Sequence, residues 1–541
     1  MISQLLNNFH LKVFLKLFIF LLISFSELRA QKNYYFSFDT LRVPNWPSVH
    51  SFTFGEWEGK VYMFGGRKNG IHEKKSGFER KTNNRQLYIW DPYKMEVDSI
   101  DLQFLPDSII DPLSAAGTSF VQRNQFLYVI GGYGQNAQDS FVTYPSLLIL
   151  DLSQANNSET WKNDPTKVIR QVQNPNFAIA GGQMVLINDQ FILVGGNQFT
   201  GKYEDNSVGV KQKYLDKASS FKISISEGNI EISDWHEMID EFNFHRRDYN
   251  LAPFYFGIEQ LEAMVFSGVF LVNVNRPFLN IARVNATNFE DIQSFSQLLA
   301  NYHCAKLGLY EKESNTMRQW FFGGMAEYYI NDSNLIVSDP RVPFVNTVSS
   351  VTRNNGNIYE ETFQKNRLPG FFGTNSEVFI FSHIPKMKNE NKIIDLDLVQ
   401  EDSIDLGYIF GGIYNPTSEP NPWAYDKAHL TIANPYLLKI KYHLVTTNGN
   451  VSKHSVRSDF PKLNIFPQPA TNEINLDFEN YTFNHVQVWL VNQTGHKVKY
   501  QKIIGESQPM ISVKDLPPGN YTLYIYLDHK FTYSQKLVLA D

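Results

Sequence analysis

The sequence predicts an all-β protein with two domains, a large one built from six four-stranded units and a small β-sandwich that follows it. Three observations lead to this prediction. An apolar run that ends in Gly-Gly recurs six times, once in a degenerate form; aromatic residues make up 14% of the chain; and no long amphipathic helical pattern interrupts the repeats. Strands favour aromatic residues, and 541 residues are too many for one ordinary domain.

Composition excludes several classes of protein. The chain carries 49 basic and 55 acidic residues, a net charge of −6, which argues against a nucleic-acid-binding protein with its usual basic face. A hydrophobic content of 43% excludes wholesale disorder. A single cysteine, Cys304, excludes an intramolecular disulfide framework and a cysteine-cluster metal site. No metal or cofactor is predicted.

Residues 1–30 have the pattern of a secretory signal peptide. Lys12 and Lys16 precede an apolar run over residues 17–25, which is about half the length that a membrane-spanning helix needs. Cleavage is predicted after Ala30, with cleavage after Ser26 as a second option and an uncleaved anchor as the alternative. No cysteine follows the run, which excludes a lipoprotein, and no later stretch is predicted to span a membrane.

The repeat is the main signal of the large domain. The second glycines of its six copies are Gly66, Gly132, Gly196, Gly268, Gly324 and Gly412. Each copy has one strand-like run upstream and one or two downstream, and four short strands per unit is the pattern of a β-propeller blade. Glycine permits positive φ and a close backbone approach where such a strand ends near a crowded axis. A β-solenoid or a row of sandwiches is the alternative.

These residues resemble the kelch repeat of β-propellers, over about residues 33–445. The resemblance rests on the Gly-Gly motifs, on the aspartates that end the third strands (Asp91 and Asp151), and on basic residues before the first strands (Arg246, His303). It implies a six-bladed kelch-type propeller over residues 31–445. The N-terminal run 33–43 is expected to pair with the last unit and close the ring, because a closed ring leaves no open strand edge.

A polar stretch, residues 446–461, is predicted to be a linker that leaves the following domain free of the propeller. Residues 462–541 alternate apolar and polar positions between turns, which predicts a small β-sandwich. The run from Asn464 to Ala470, Gly495, the run from Leu516 to Tyr521 and the terminal Lys536–Val538 resemble the C-terminal sorting domain of the type IX secretion system of Bacteroidetes, with Gln468 where the family usually has Asn. The resemblance implies export to the cell surface or outside, with the secretion translocon as partner. An ordinary immunoglobulin-like module is the alternative.

Long loops after the Gly-Gly motifs and before the first strands are expected to open on one face, where recognition usually occurs. Their aromatic residues are the ligand-binding candidates: Tyr133, Phe199, Tyr203, Tyr328, Tyr329, Tyr414, Trp423 and Tyr425. Packing of these rings against the propeller is the alternative.

Polar residues are also expected near the axis, where kelch-type sugar-acid epimerases have their sites: His50, Arg246, Arg247, Asp248 and His303. A copper-radical oxidase is disfavoured, since Cys304 and His303 are adjacent on a strand and point to opposite faces. No residue is assigned a catalytic role. The sequence therefore predicts a secreted or cell-surface protein that binds a glycan or a protein ligand. A sugar-acting enzyme, epimerase-like or oxidase-like, with its site at the axis is the alternative.

Overall fold

The computed structural model describes residues 32–540 except for 72–76, 204–210, 227, 273–274, 294, 388–391, 418–429, 446–452, 457–460, 480, 494–495, 506–507 and 529–530. In this part of the chain the protein is all-β, as predicted, with helices confined to α1 (Asp107–Leu113), α2 (Leu152–Ala155), α3 (Ser158–Asn163), α4 (Glu241–Phe244) and 3₁₀ turns at Pro165–Lys167, Pro175–Phe177 and Leu396–Leu398.

The strands of the large domain begin and end as follows. The first half contains β1 (Tyr34–Leu41), β2 (Thr53–Trp57), β3 (Lys60–Phe64), β4 (Gln86–Asp91), β5 (Glu96–Asp101), β6 (Ser119–Arg123), β7 (Phe126–Ile130), β8 (Tyr133–Gln135), β9 (Phe141–Thr143), β10 (Ser146–Asp151), β11 (Ile169–Gln173), β12 (Gln183–Ile187), β13 (Gln190–Val194), β14 (Asn197–Thr200), β15 (Lys211–Tyr214), β16 (Lys217–Ser226) and β17 (Asn229–Ile239). The second half contains β18 (Asn250–Tyr255), β19 (Leu261–Phe266), β20 (Ala282–Val284), β21 (Phe289–Asp291), β22 (Ala305–Glu311), β23 (Thr316–Phe322), β24 (Tyr328–Ile330), β25 (Ile336–Ser338), β26 (Val348–Arg353), β27 (Tyr359–Gln364), β28 (Phe371–Thr374), β29 (Glu377–Ile380), β30 (Ile393–Asp395), β31 (Ser403–Phe410), β32 (Ile413–Asn415), β33 (Ile432–Ala433), β34 (Leu437–Leu444) and β35 (Lys453–Val456).

Six antiparallel sheets built on four strands follow one another along the large domain over the described residues, beside the smaller sheets β8-β9-β14-β15, β24-β25 and β28-β32-β33. In chain order the six are β2-β3-β4-β5, β6-β7-β10-β11, β12-β13-β16-β17, β18-β19-β20-β21, β22-β23-β26-β27 and β29-β31-β34-β1, here called sheets 1 to 6. The fifth sheet gains β30 at one edge and β35 at the other. The first strand of each sheet lies beside the first strand of the next, from β2 through β6, β12, β18 and β22 to β29. Together these sheets form the body of the protein.

The N-terminal strand completes the sixth sheet. As the sequence predicts, β1 pairs with β34 in antiparallel register, from Tyr34 opposite Leu444 to Leu41 opposite Leu437. Tyr34 and Phe36 are fully buried, and the Tyr34 hydroxyl accepts a hydrogen bond of 3.0 Å from the indole of Trp320 in the fifth sheet. The strand therefore connects the last sheet to its neighbour as well as covering an edge.

Backbone geometry explains the Gly-Gly motifs. In the first copy Gly65 and Gly66 both have positive φ, at 60° and 79°, a region that other residues rarely adopt. A Cβ on Gly66 would lie 2.5 Å from the carbonyl oxygen of His50, just before the first strand. The degenerate copy has Ser267 in the left-handed position, with a φ of 61°.

The C-terminal module is a two-sheet sandwich of β36 (Leu463–Phe466), β37 (Glu473–Phe478), β38 (His485–Asn492), β39 (Lys497–Ile504), β40 (Met510–Ser512), β41 (Gly519–Leu527) and β42 (Phe531–Leu539). One sheet has the order β36-β37-β40 and the other β39-β38-β41-β42. Among the described residues, no helix combines the length and the apolar character needed to cross a membrane.

Two expectations about the connection to this module are wrong. Part of the predicted linker, Lys453–Val456, forms β35 and pairs with Glu361–Gln364 of β27. The module is also not free of the body, because Trp489 and Tyr524 pack against Phe242 in a buried cluster. The linker composition could not reveal this contact, since the residues that make it belong to the two domains and not to the linker.

Candidate functional site

A series of five backbone hydrogen bonds runs along the space that the six first strands line. One residue just before each first strand takes part: Ser51, Gly117, Gly181, Asp248, His303 and Asn375, here called the throat. The amide of each residue donates to the carbonyl of the preceding member, at 3.1 Å for Gly117, 2.9 Å for Gly181, 3.3 Å for Asp248, 2.7 Å for His303 and 2.8 Å for Asn375. These five bonds link all six sheets around one axis.

The throat separates two chambers. The inner chamber has a volume of about 280 Å³ and is lined by residues of all six first strands, among them Phe54, Gln122, Gln183, Leu251, Lys306 and Glu377. The mouth chamber has a volume of about 540 Å³ and lies on the side of the long loops. All six throat residues line both chambers. The two chambers are therefore parts of one axial cavity.

Part of the connection between β29 and β31 lines the inner chamber, through Lys392 and Ile393. This connection covers residues 381–402, whereas the same connection in the first sheet has only two residues. Its strand β30 runs parallel to β22, with Ile393 opposite Gly308. The Lys392 amino group donates to the Glu56 carboxylate near the far end of β2, and it lies 4.3 Å from the centre of the Phe54 ring. This connection therefore contributes to the lining of the inner chamber on the side away from the throat.

An acid–base pair lies just below the throat. His303 Nε2 is 3.2 Å from Glu377 Oε1, and His303 Nδ1 is 3.2 Å from Asn375 Oδ1. Burial alone would raise the pKa of the Glu377 carboxyl, but the charges of Lys306 and His303 outweigh it and hold that pKa below its usual value. Glu377 is thus an ionised carboxylate beside an imidazole and an ammonium group, in a chamber that a small molecule can occupy.

Several buried polar atoms without hydrogen-bond partners among the described residues lie at the mouth chamber. The buried Nε of Arg247 has no hydrogen-bond partner in the part of the chain that the structure describes, and Asp248 Oδ2 lies 3.7 Å from it. Asn197 Oδ1 and Thr374 Oγ1 also have no hydrogen-bond partner among the described residues. Arg247, Asn197 and Thr374 all line the chamber. Buried polar atoms of folded proteins nearly always have partners. This chamber therefore offers both donors and acceptors to a polar ligand.

Aromatic rings form one wall of the mouth chamber. The mouth cluster consists of Phe78, Tyr133, Phe141, Phe199 and Tyr203, at the loops of sheets 1 to 3. The Tyr133 hydroxyl donates to the Gly201 carbonyl at 2.6 Å, and the ring centres of Phe199 and Tyr203 are 5.4 Å apart. Strands β8, β9, β14 and β15 pair into one small sheet that supports these rings.

The predicted site residues divide into two groups. Tyr133, Phe199, Tyr203, His50, Arg247, Asp248 and His303 line the axial cavity. Tyr328, Tyr329 and Tyr414 do not, and Tyr414 instead stacks on Phe372 with ring centres 4.7 Å apart. Ala30, Trp423 and Tyr425 lie outside the described residues.

Arg246 is a correction to the predicted axial set. Its side chain is fully buried away from the cavity, donates to the carbonyls of Asn243 and Ser267 and to Asn280 Oδ1, and lies over the Phe278 ring at 4.2 Å. Burial lowers its pKa to about 10. Consecutive residues on an extended segment point in opposite directions, so Arg246 packs between sheets while Arg247 reaches the cavity.

Sequence reasoning missed Glu377 and Lys306. Both are charged residues within otherwise apolar first strands, which is the one signal that could have identified them.

A protein family and a solved structure are similar to this chain. The family described as "Secretion system C-terminal sorting domain" matches residues 464–540. The module is therefore a sorting domain, and it directs export through the type IX secretion system to the outer surface or outside. No curated protein matches this chain.

One similar solved structure is titled "Structure of YjhT". It is 11% identical, with 77% of this chain and 99% of that chain covered and a TM-score of 0.40. This likeness is too low to support a conclusion about activity.

Proposed function

We propose that this protein is a six-bladed kelch-type β-propeller that is exported by its sorting domain and binds a glycan in the axial cavity through the mouth chamber. The observation that carries this proposal is the combination of the mouth cluster with unpartnered buried polar atoms around one cavity. Sugars present apolar C–H faces and many hydroxyls, which fit an aromatic wall beside polar groups. A protein ligand on the wider loop face is the alternative occupant.

The propeller architecture is supported by the throat and by the succession of neighbouring first strands. Deleting residues 31–43 removes the outer strand of the sixth sheet and the buried side chains of Tyr34 and Phe36. Each such side chain contributes about 1.5–3 kcal/mol through burial. We expect loss of cooperative folding, measured by denaturant unfolding. Unchanged unfolding of the truncated protein would contradict closure by β1.

The test of glycan binding is a panel of immobilised glycans probed with the full chain. The variant Tyr203→Ala removes a ring from the mouth chamber, and we expect it to weaken binding by about 1–3 kcal/mol. Tyr414→Ala is the matched control, since this half-buried tyrosine was an equal candidate from the sequence but lies away from the cavity. Equal loss in both variants, or loss only with Tyr414→Ala, would exclude the mouth chamber as the site. Binding of a surface protein and of no glycan would favour the alternative ligand.

A second candidate function, a sugar-acting enzyme, is favoured by the pair of His303 and Glu377. A carboxylate and an imidazole within hydrogen-bond reach of a bound sugar can move a proton. Glycans that bind are incubated with the protein, and their products are followed by NMR. Turnover that is lost in Glu377→Gln, while binding persists, would establish the enzyme. Absence of any turnover with a ligand that binds would leave the protein a binding protein.

A further inference from the structure

The large sheet of the sorting domain has two buried faces. On β38, Val486, Val488 and Leu490 point into the sandwich core. The intervening Trp489 and Val491 point the other way and are also buried, at 1% and 7% exposed. A small sandwich standing alone would expose this second face to water, where a patch of this kind marks an interaction surface.

The second face packs against the fourth sheet and its surroundings. The docking cluster consists of Phe242, Leu271 and Phe278 from the body with Trp489, Val491, Tyr524 and Tyr526 from the sorting domain. Phe242 stacks on Tyr524 with ring centres 3.9 Å apart and planes at 11°. Phe242 lies in α4, directly after Asp240 and Glu241.

Polar contacts surround the docking cluster. The Tyr524 hydroxyl donates to Asp240 Oδ2 at 2.5 Å, and Gln293 donates to the Ser534 hydroxyl. Lys497 Nζ forms an ion pair of 3.0 Å with Glu241 Oε2 at the rim. Asp240 also caps α4 by accepting from the amides of Phe242 and Asn243. Apolar rings inside a polar rim are the anatomy of a specific interface.

We propose that the body of this protein is the docking partner of its own sorting domain, and that the docked state covers the aromatic face of the domain until it detaches. The groups that complement the aromatic face belong to the same chain: Phe242, Asp240 and Glu241. Pairing of β35 with β27 also holds the chain against the body just before the sorting domain begins. The inference rests on contacts between residues that do not line the axial cavity, and it is independent of what that cavity binds.

Docking in the intact protein is tested by zero-length carbodiimide crosslinking, which joins a lysine to a carboxylate only at direct contact. We expect a crosslink between Lys497 and Glu241, identified by peptide mass spectrometry. Lys499 and Asp515, 2.8 Å apart within the sorting domain, are the internal control. Formation of the control crosslink without the Lys497 crosslink would overturn docking.

The strength of docking is tested by cutting the chain. A site-specific protease sequence at residues 457–460 separates β35 from β36, and the two fragments should co-elute in gel filtration at micromolar concentration. Phe242→Ala should weaken their association by about 100-fold, because it removes a buried stacked ring. Ile504→Ala is the matched control, since Ile504 lies on the same sheet but is 61% exposed.

A milder variant guards against loss of folding in Phe242→Ala. Tyr524→Phe keeps the stacked ring and removes only the hydroxyl that bonds Asp240, so it should weaken association by about 10-fold. Fragments of the unmodified chain that separate after cleavage would overturn the proposal. So would association that is the same in Tyr524→Phe, Phe242→Ala and the Ile504→Ala control.

Discussion

The mouth cluster and the docking cluster are both rich in aromatic rings, yet the first borders a cavity and the second is packed between two parts of the chain. In the docking cluster, Tyr524 bonds Asp240 and the rim carries an ion pair, while the buried hydroxyl of Tyr526 has no hydrogen-bond partner among the described residues. In the mouth cluster the rings border a cavity in which the buried Nε of Arg247 likewise has none. Neither aromatic content nor one unsatisfied polar atom therefore separates a binding site from a packed interface, whereas an adjoining cavity that a ligand can occupy does.

Removing the largest ring of the docking cluster should have the largest effect. Trp489 is 1% exposed and contacts both Phe242 and Tyr526. Trp489→Ala should lower the free energy of unfolding of the full chain by about 3–5 kcal/mol, because it leaves a cavity in a closed interface. Denaturant titration measures the change, with Val498→Ala, an exposed position on β39, as the control. A change equal to that of the control would mean that this ring faces solvent.

The adjacent residues Arg246 and Arg247 give the sharpest test of the difference between a packed side chain and one that lines the cavity. Arg246→Met removes hydrogen bonds to Asn243, Ser267 and Asn280 and should cost about 3–5 kcal/mol of stability by leaving buried acceptors unpaired. Arg247→Met should change stability by less than about 1 kcal/mol and abolish the binding measured on the glycan panel. Thermal unfolding and binding are measured on both variants. If Arg247→Met lost stability and Arg246→Met lost binding instead, Arg246 would be the arginine that contacts the ligand.

The smallest expected effect is a pH dependence of docking. Burial raises the pKa of Asp291 to about 6, with Arg246 and Asp240 as its charged neighbours and Ser534 of the sorting domain as a hydrogen-bond partner. A carboxyl with a raised pKa binds its proton more tightly when docked, so docking is strongest below its ordinary pKa and weakens as pH rises through about 6. Gel filtration of the cleaved protein between pH 5 and 7 measures this. Asp291→Asn should reduce the dependence, and the remainder comes from Asp240, whose pKa burial also raises.

The sequence predicted the parts of the fold that depend on local pattern. The Gly-Gly motifs, the apolar runs of four strands and the pairing of β1 with the last sheet follow from strand periodicity and from glycine geometry. Other strands could not be found in this way, and β30 and β35 show why. β30 has three residues inside a polar connection, and β35 has four residues in a stretch without periodicity, so neither carries a pattern that identifies its partner.

The candidate site was predicted in part for a similar reason. Residues next to the motifs, such as His303 and Tyr133, could be placed near the axis from their position in the repeat. Arg246 could not be distinguished from Arg247, because the direction of a side chain on an irregular segment depends on tertiary contacts. The docking face did leave a signal: besides the core-facing Val488 and Leu490, β38 carries Trp489 and Val491 on its opposite face, which a strand covered on one side only does not need.

The throat constrains which side chains can surround the axis. Five of its six residues have left-handed backbone conformations: Ser51 at 53°, Gly117 and Gly181 at 67°, Asp248 at 51° and Asn375 at 52°. Glycine, asparagine and aspartate tolerate this region, whereas branched and bulky residues do not. The backbone conformation therefore restricts five of the six throat positions to glycine and small polar residues, independently of the ligand. Only the position of His303 lies outside that region, so a change of selectivity during evolution or engineering has one place in the throat where a larger side chain meets no such backbone restriction.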